Sequence, residues 1–192
     1  MSDLVIRIAS PQDAPALLEI YGPYVENTAI SFEYTTPTLE DFIGRMEKVL
    51  EKYPYLVAEE DGLIVGYAYA SQFHARKAYD WCIETSIYIR QGWSGKGYGK
   101  QLYEELERIL KMQHVINVNA AIAYKEEEDE YLTHRSREFH EHMGYTLAGE
   151  FNKCGYKFGR WYNMVWMEKM LGEHLDNPPK VIPITEILTM EE

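Results

Sequence analysis

The stretch Glu84–Glu105, ETSIYIRQGWSGKGYGKQLYEE, constrains this chain more than any other part of it. Thr85, Ile87, Tyr88 and Ile89 are β-branched or aromatic, as strands favour. Gly95, Gly97 and Gly99 follow at intervals of two, just before an amphipathic run. The order predicts a strand, a glycine-rich turn and a helix. Glycines leave backbone N–H groups uncovered and a helix N-terminus adds its dipole, so the unit suits an anionic phosphate group. Spacing removes two readings of it. A Walker loop needs Lys followed by Ser or Thr after the last glycine, whereas Gly97 precedes Tyr98 and Lys100 precedes Gln101. The dinucleotide fingerprint needs G-x-G-x-x-G in the first βαβ unit, and this G-x-G-x-G lies mid-chain. A glycine turn without a ligand stays open at this point.

The rest of the chain reads as an ordinary globular frame. At 192 residues with 46% hydrophobic content it suits one domain with a single sizeable core. No apolar run approaches the ~20 residues that cross a bilayer, and no basic-then-apolar leader is present, so a cytoplasmic location without a membrane partner is expected. A formal charge of -12 argues against nucleic-acid binding, which needs cations to displace counterions. A polyanionic ligand would need a locally positive site, which Lys96, Lys100 and Arg90 offer. Cys82 and Cys154 lack any metal-ligand or CxxC spacing, so free buried thiols are expected and no metal.

In chain order, Leu4 to Ile8 reads as a strand, and Ser10-Pro11-Gln12-Asp13 starts a helix through about Tyr21. Thr38 caps a second helix whose core face carries Leu39, Phe42, Ile43, Met46, Val49 and Leu50. Tyr55 to Glu59 and Leu63 to Ser71 form a hairpin around Asp61-Gly62. The helix from Gly99 to Met112 sets Leu102, Leu106, Ile109 and Leu110 inward and Glu104, Glu105, Glu107 and Arg108 largely outward. Val115 to Ala123 is a strand parallel to the central one, because a helix connects them. KEEEDEY, from Lys125 to Tyr131, reads as a solvated run. Thr133 caps a helix holding Phe139, His140 and Met143, ended by Gly144. Tyr145 to Phe151 and Trp161 to Met170 are antiparallel strands joined by a loop from Lys153 to Arg160. The whole is α/β, a mixed central sheet flanked by helices. Residues 1–170 form one domain, and residues 171–192 an extension packed on it or on a partner subunit.

The glycine turn resembles the pyrophosphate loop of the GNAT N-acetyltransferase superfamily: Gln or Arg, two residues, Gly, one residue, then Gly or Ala. Gly97 and Gly99 fill the glycine places, and Ser94 stands where Gln or Arg is usual. From about Ile6 to Lys169 the chain is similar to the phosphinothricin N-acetyltransferase branch. Ser31-Phe32-Glu33, Tyr53 to Glu59, the ARKAYDW block at Ala75 to Trp81, Glu84 to Tyr88, Ser136, His140-Glu141 and the GYKFGRW block at Gly155 to Trp161 carry that likeness. The resemblance implies acetyl-CoA as donor, a small amino-acid-like amine as acceptor, and a homodimer. Thr133 replaces a usual Asn, and the acidic run and the tail are longer than usual. The same fold with a polyamine, antibiotic or protein N-terminus as acceptor is the alternative, as is a CoA-binding regulatory module with little catalysis.

An amine arrives as an ammonium ion and must lose a proton before attacking a thioester. Glu84 is the candidate base, sharing one strand face with Ser86 and Tyr88. Burial would raise its pKa toward neutrality. Tyr88 and His140 are candidates to protonate the departing thiol, and a backbone N–H from Ile87 to Ile89 suits the thioester oxyanion. The resemblance assigns cofactor contacts to Ile87, Tyr88, Ile89, to Gly95, Lys96, Gly97, Tyr98, Gly99 and Lys100, and to Thr133, Ser136 and His140. It assigns acceptor contacts to Phe32, Glu33, His74, Arg76, Glu84, Thr85 and Ser86, with the Arg76 guanidinium suited to a carboxylate or phosphinate.

Overall fold

The computed structural model describes residues 4–190. Seven strands, β1 (Leu4–Ile8), β2 (Tyr55–Glu60), β3 (Leu63–Gln72), β4 (Cys82–Ile89), β5 (Asn117–Tyr124), β6 (Thr146–Lys157) and β7 (Arg160–Met170), form one sheet in the order β1-β2-β3-β4-β5-β7-β6. Every neighbouring pair is antiparallel except β4 and β5. That exception follows from the helix between them, α3 (Tyr98–Met112), which returns the chain to the same end of the sheet.

Two helical layers cover the sheet. On one face α1 (Ala14–Asn27) and α2 (Leu39–Leu50) bury Leu17, Ile20, Val25, Phe42 and Met46 against Tyr55, Val57 and Tyr67. On the other, α3 buries Leu102, Leu106, Ile109 and Leu110 against Leu56, Val65, Ile83 and Val118. The Thr38 hydroxyl caps α2 by accepting from the Asp41 N–H at 3.2 Å. In the tail, Trp81 Nε1 donates to Pro179 O at 2.7 Å and Gln113 Nε2 to Ile182 O at 2.7 Å. The final helix, α5 (Ile184–Met190), buries Ile184 and Ile187 in the α3 core.

Several local expectations are corrected. Helix α1 continues past Gly22-Pro23 to Asn27. Pro23 removes one ladder hydrogen bond, but burial of Tyr21 and Val25 holds the turn together. The last hairpin turns in two residues, Phe158 and Gly159, both at positive φ. Register shifts at Leu147/Gly149 and Phe151/Gly155 break the alternation and make the long β6 look like a loop in sequence. Glu107 is 7% exposed and accepts from Lys169 Nζ at 2.7 Å, so it faces inward. Cys154 is an exposed thiol and Cys82 a half-buried one. The helix after the acidic run, α4 (Arg135–His142), begins from His134, and no Thr133 side-chain cap forms.

Candidate active site

Strands β4 and β5 are paired only at Cys82/Asn117, Ile83/Val118 and Glu84/Asn119. Beyond that rung they part, although both continue for five residues. The seam is knitted at its last rung: Asn119 Nδ2 donates to Ile83 O at 3.2 Å and the Thr85 hydroxyl donates to Asn119 O at 3.2 Å. On the β3 side the ladder continues, with Arg90 N–H donating to Val65 O. Antiparallel alternation therefore turns the amides of Ile87 and Ile89 away from β3 and into the opening. Ile89 O is taken by the Tyr24 hydroxyl at 2.5 Å, while β5 pairs with neither backbone group of Ile87.

The resulting cleft is lined by Thr85, Ser86, Ile87 and Tyr88 of β4, Ala120 to Ala123 of β5, Tyr103 of α3, Ser136 and His140 of α4, and Ile30 and Leu132. Past the end of β4 comes the glycine turn. Gly97 is left-handed at φ 87 and ψ 0 and starts α3 without a side-chain cap. Among the described residues, the N–H groups of Gly95 to Lys100 donate to no backbone carbonyl. Gly99 brings α3 close to the strand, since a Cβ there would meet the Phe139 ring at 3.2 Å and Ile87 at 3.4 Å. Lys96 Nζ lies 4.1 Å over the Trp93 ring, which fixes a cation beside the turn. Arg90 is not available there: its Nε donates to Ile64 O and its guanidinium pairs with Glu19. The Tyr98 side chain points back to Glu60, at 2.7 Å, leaving only its backbone toward the turn.

Glu84 stands at the rung where the strands part. Its carboxylate receives no hydrogen bond or ion pair from any described residue, and burial raises its pKa. Ser86 and Tyr88 share its face. The Tyr88 ring packs edge-on to Tyr21 at 5.0 Å and Tyr24 at 5.2 Å, and burial pushes its phenol well above its ordinary pKa. Thr85 points the other way, into a buried set of hydrogen bonds with Tyr103 at 3.3 Å and Tyr145 at 3.3 Å. Tyr103 in turn meets His140 Nε2 at 2.9 Å, and His140 Nδ1 meets Ser136 O at 2.7 Å. A carbonyl only accepts, so Nδ1 carries the proton and Nε2 is an acceptor, and the single Tyr103 hydroxyl proton is shared between His140 Nε2 and Thr85 Oγ1. Burial lowers the His140 pKa to about 4, which keeps the ring neutral.

Phe32 and Glu33 lie in the loop after α1, which is pinned from three sides. Lys157 Nζ, itself buried, donates to Val25 O, Thr28 O and Ser31 O at 2.6 to 2.8 Å. The Tyr34 hydroxyl donates to Tyr156 O. Phe32 sits on Gly155, where a Cβ would come within 2.2 Å of its ring. His74 and Arg76 are exposed on the connection between β3 and β4, with His74 against the Phe73 and Tyr79 rings, and Thr133 is exposed ahead of α4. The structure thus gathers Thr85, Ser86, Ile87, Tyr88, Ser136 and His140 on one cleft and leaves Phe32, Glu33, His74, Arg76, Glu84, Ile89, Thr133 and the turn from Gly95 to Lys100 off its lining. Tyr103 and Asn119 were missed because their partners lie 18 to 37 residues away in sequence. In the acidic run, Asp129 is likewise bound up. Burial opposes its ionisation, but hydrogen bonds from Lys125, the Tyr131 N–H and Arg160 prevail and hold its pKa at about 2.

A parted strand pair with free amides, followed by a glycine-opened helix, is an arrangement an acyl-CoA-dependent transferase can use. Residues 6–166 match the acetyltransferase (GNAT) domain family. The chain belongs to that family and is an acetyl-CoA-dependent N-acetyltransferase. It is 32% identical to a phosphinothricin N-acetyltransferase of Streptomyces viridochromogenes, over 95% of each chain. It is 29% identical to an L-methionine sulfoximine/L-methionine sulfone acetyltransferase of Salmonella typhimurium, over 89% of this chain and 96% of that one. A crystal structure of a phosphinothricin acetyltransferase from Sinorhizobium meliloti in complex with AcCoA superposes with a TM-score of 0.84 at 33% identity, covering 95% of this chain and 97% of that one. No described helix is long and apolar enough to cross a membrane.

Proposed function

We propose that the acceptor is the primary amine of a small amino-acid-like molecule and that Glu84 is the base. The observation that carries this is the half-buried Glu84 carboxylate, without a partner, at the point where β4 and β5 separate. Acetyl-CoA, when bound, supplies the acetyl group as an activated thioester. The N–H groups of Gly95 to Lys100, with Lys96 beside them, would hold its pyrophosphate, and the backbone of Ile87 would hold its pantetheine arm. Glu84 takes a proton from the acceptor's ammonium group, directly or through one water, so that the amine gains the lone pair it needs. Tyr88 keeps its proton throughout the neutral range and is the better candidate donor to the departing thiol, because the one ring proton of His140 is committed to Ser136 O.

The acceptor class draws support from relatives whose names specify phosphinothricin, methionine sulfoximine or methionine sulfone. Ser86 and the pinned loop carrying Phe32 and Glu33 form the acceptor side of the site in this reading. Release of free CoA thiol, followed with phosphinothricin, methionine sulfone, spermidine and a peptide with a free N-terminus, tests it. Turnover should favour the two amino acids, and turnover only with the polyamine or the peptide would overturn it.

We also propose that residues 1–170 and the tail form one unit that works as a homodimer in the cytoplasm. The edge hairpin of β6 and β7 exposes Leu147, Phe151, Tyr156 and Trp161, apolar side chains suited to cover by a second copy of the chain. Light scattering of the purified chain tests the dimer, and a monomer at micromolar concentration would remove it.

A further inference from the structure

Ile30 lines the cleft together with Thr85 to Tyr88 of β4, and the chain on either side of it hangs from one buried cation. Lys157, near the end of β6 and only 2% exposed, donates from Nζ to Thr28 O at 2.8 Å and to Ser31 O at 2.7 Å, the carbonyls that bracket Ile30. Its third bond goes to Val25 O at 2.6 Å, in the last turn of α1. A helix leaves its last carbonyls without helical donors, so Lys157 closes the end of α1 and fixes the segment after it at the same time. Three acceptors take three protons, and the side chain therefore sits there as an ammonium.

The same segment is tied to both sides of the cleft. The Ser31 hydroxyl lies 2.9 Å from that of Tyr21, whose ring packs edge-on to Tyr88. The Ala29 N–H donates to Tyr131 O at 2.9 Å, beside Leu132, which also lines the cleft. Leu132 in turn donates its N–H to Asp129, the partner of Arg160 on β7. Two cations of one hairpin thus govern the two loop residues of the cleft, Lys157 for Ile30 and Arg160 for Leu132. Burying a charge is costly unless its hydrogen bonds are complete, and an apolar side chain would fill the Lys157 place more cheaply. It could not gather three carbonyls, which a compact ammonium with three rotatable donors does.

We propose that Lys157 is a positioning residue for acetyl transfer: by fixing the carbonyls of Thr28 and Ser31 it holds Ile30 in the cleft, and so sets where the thioester lies against β4. It acts through Ile30 and not by contact with a substrate. This rests on the reading that acetyl-CoA enters the opening between β4 and β5, and not on the identity of the amine or of the base.

The test uses the full chain, with thiol release measured on whichever of phosphinothricin, methionine sulfone, spermidine and the free-N-terminus peptide wild type turns over fastest. Each rate is divided by the number of acetyl-CoA sites that calorimetry counts. Lys157→Met keeps the length of the side chain and removes its three donors. It should lower kcat per site by about 100-fold, the cost of a misplacement of about 1 Å, with acetyl-CoA affinity within about threefold of wild type. A lysine that served the fold alone would lower the number of sites and leave kcat per site intact, and that result would overturn the assignment. Hydrogen exchange read by mass spectrometry should be faster at residues 28–33 in the variant. Lost turnover with unchanged exchange there would also overturn it. Where Lys157→Met fails to fold, Ile30→Ala decides: kcat per site should fall by about tenfold or more, and a value within about threefold of wild type would overturn the assignment. In wild type, acetyl-CoA should slow exchange at residues 85–89 and 120–124. No slowing there removes the cleft reading and the assignment with it, whereas slowing there with an unimpaired Lys157→Met removes the assignment alone.

Discussion

On one face of β4, Thr85 is enclosed by hydrogen bonds with Tyr103, Tyr145 and Asn119, and Tyr103 passes the set on to His140 and Ser136. On the other face, one residue away, Glu84 ends in a carboxylate that no described residue contacts with a hydrogen bond or ion pair. Burying a polar group without a partner costs free energy, more so for a charge. A fold that satisfies Thr85 so fully leaves Glu84 without a hydrogen-bond or ion-pair partner among the described residues. The saturated face sets the spacing of the strands and the cleft, and the proposed base lies on the unsaturated one.

The largest effect that would break this contrast belongs to Glu84→Gln. The amide cannot accept the ammonium proton, so kcat near neutral pH should fall by about 10² to 10⁴. Calorimetry should show acetyl-CoA affinity unchanged. Because burial raises the Glu84 pKa, the acid limb of kcat/KM should lie above the ordinary carboxylate value of 4.5, with rate rising as pH passes through it. The variant should lack that limb. Turnover within about tenfold of wild type, with the limb retained, would move the base elsewhere.

How far the two faces could be read from sequence follows from the range of the interactions that make them. Glu84, Ser86 and Tyr88 on one side, and Thr85 and Ile87 on the other, follow from the two-residue period of a strand. The Asp61-Gly62 hairpin and the glycine turn into α3 are equally local, and both were legible. What sequence could not reveal depends on partners distant in the chain. Glu107 looks like a solvent-facing helix residue until Lys169, 62 residues on, is brought to it. Arg45 likewise gives no sign in sequence that its helix lays it beside Glu33. The separation of β4 from β5 is a third case, since each segment alone reads as an ordinary strand.

His140 provides the next test, on the saturated side. Burial holds its folded pKa at about 4 against 6.5 for the free ring. As pH falls the unfolded chain takes up the proton first. The contribution is therefore fully present above pH 6.5 and is lost progressively between 6.5 and about 4, by about 3 kcal/mol over the window. Denaturant unfolding at about pH 7.5 and about pH 4.5 reads the slope, and His140→Gln should remove close to one proton's worth of it. An identical slope in the variant would assign the acid sensitivity to carboxylates and leave His140 outside the closed set.

Thr85→Val gives the smallest effect and divides the faces most finely. The substitution keeps the shape and removes one hydroxyl, so Asn119 O loses a donor and the buried Tyr145 phenol loses its partner. Stability should drop by about 1 to 2 kcal/mol in chemical denaturation. Tyr145→Phe alone should cost about 1 kcal/mol, and the double variant less than the sum, because the phenol orphaned by Thr85→Val is then absent. Turnover in Thr85→Val should stay within about tenfold of wild type, since its side chain points away from the acceptor face. Loss of turnover comparable to Glu84→Gln, with stability intact, would show that Thr85 faces the chemistry and that the two sides of β4 are not divided in this way.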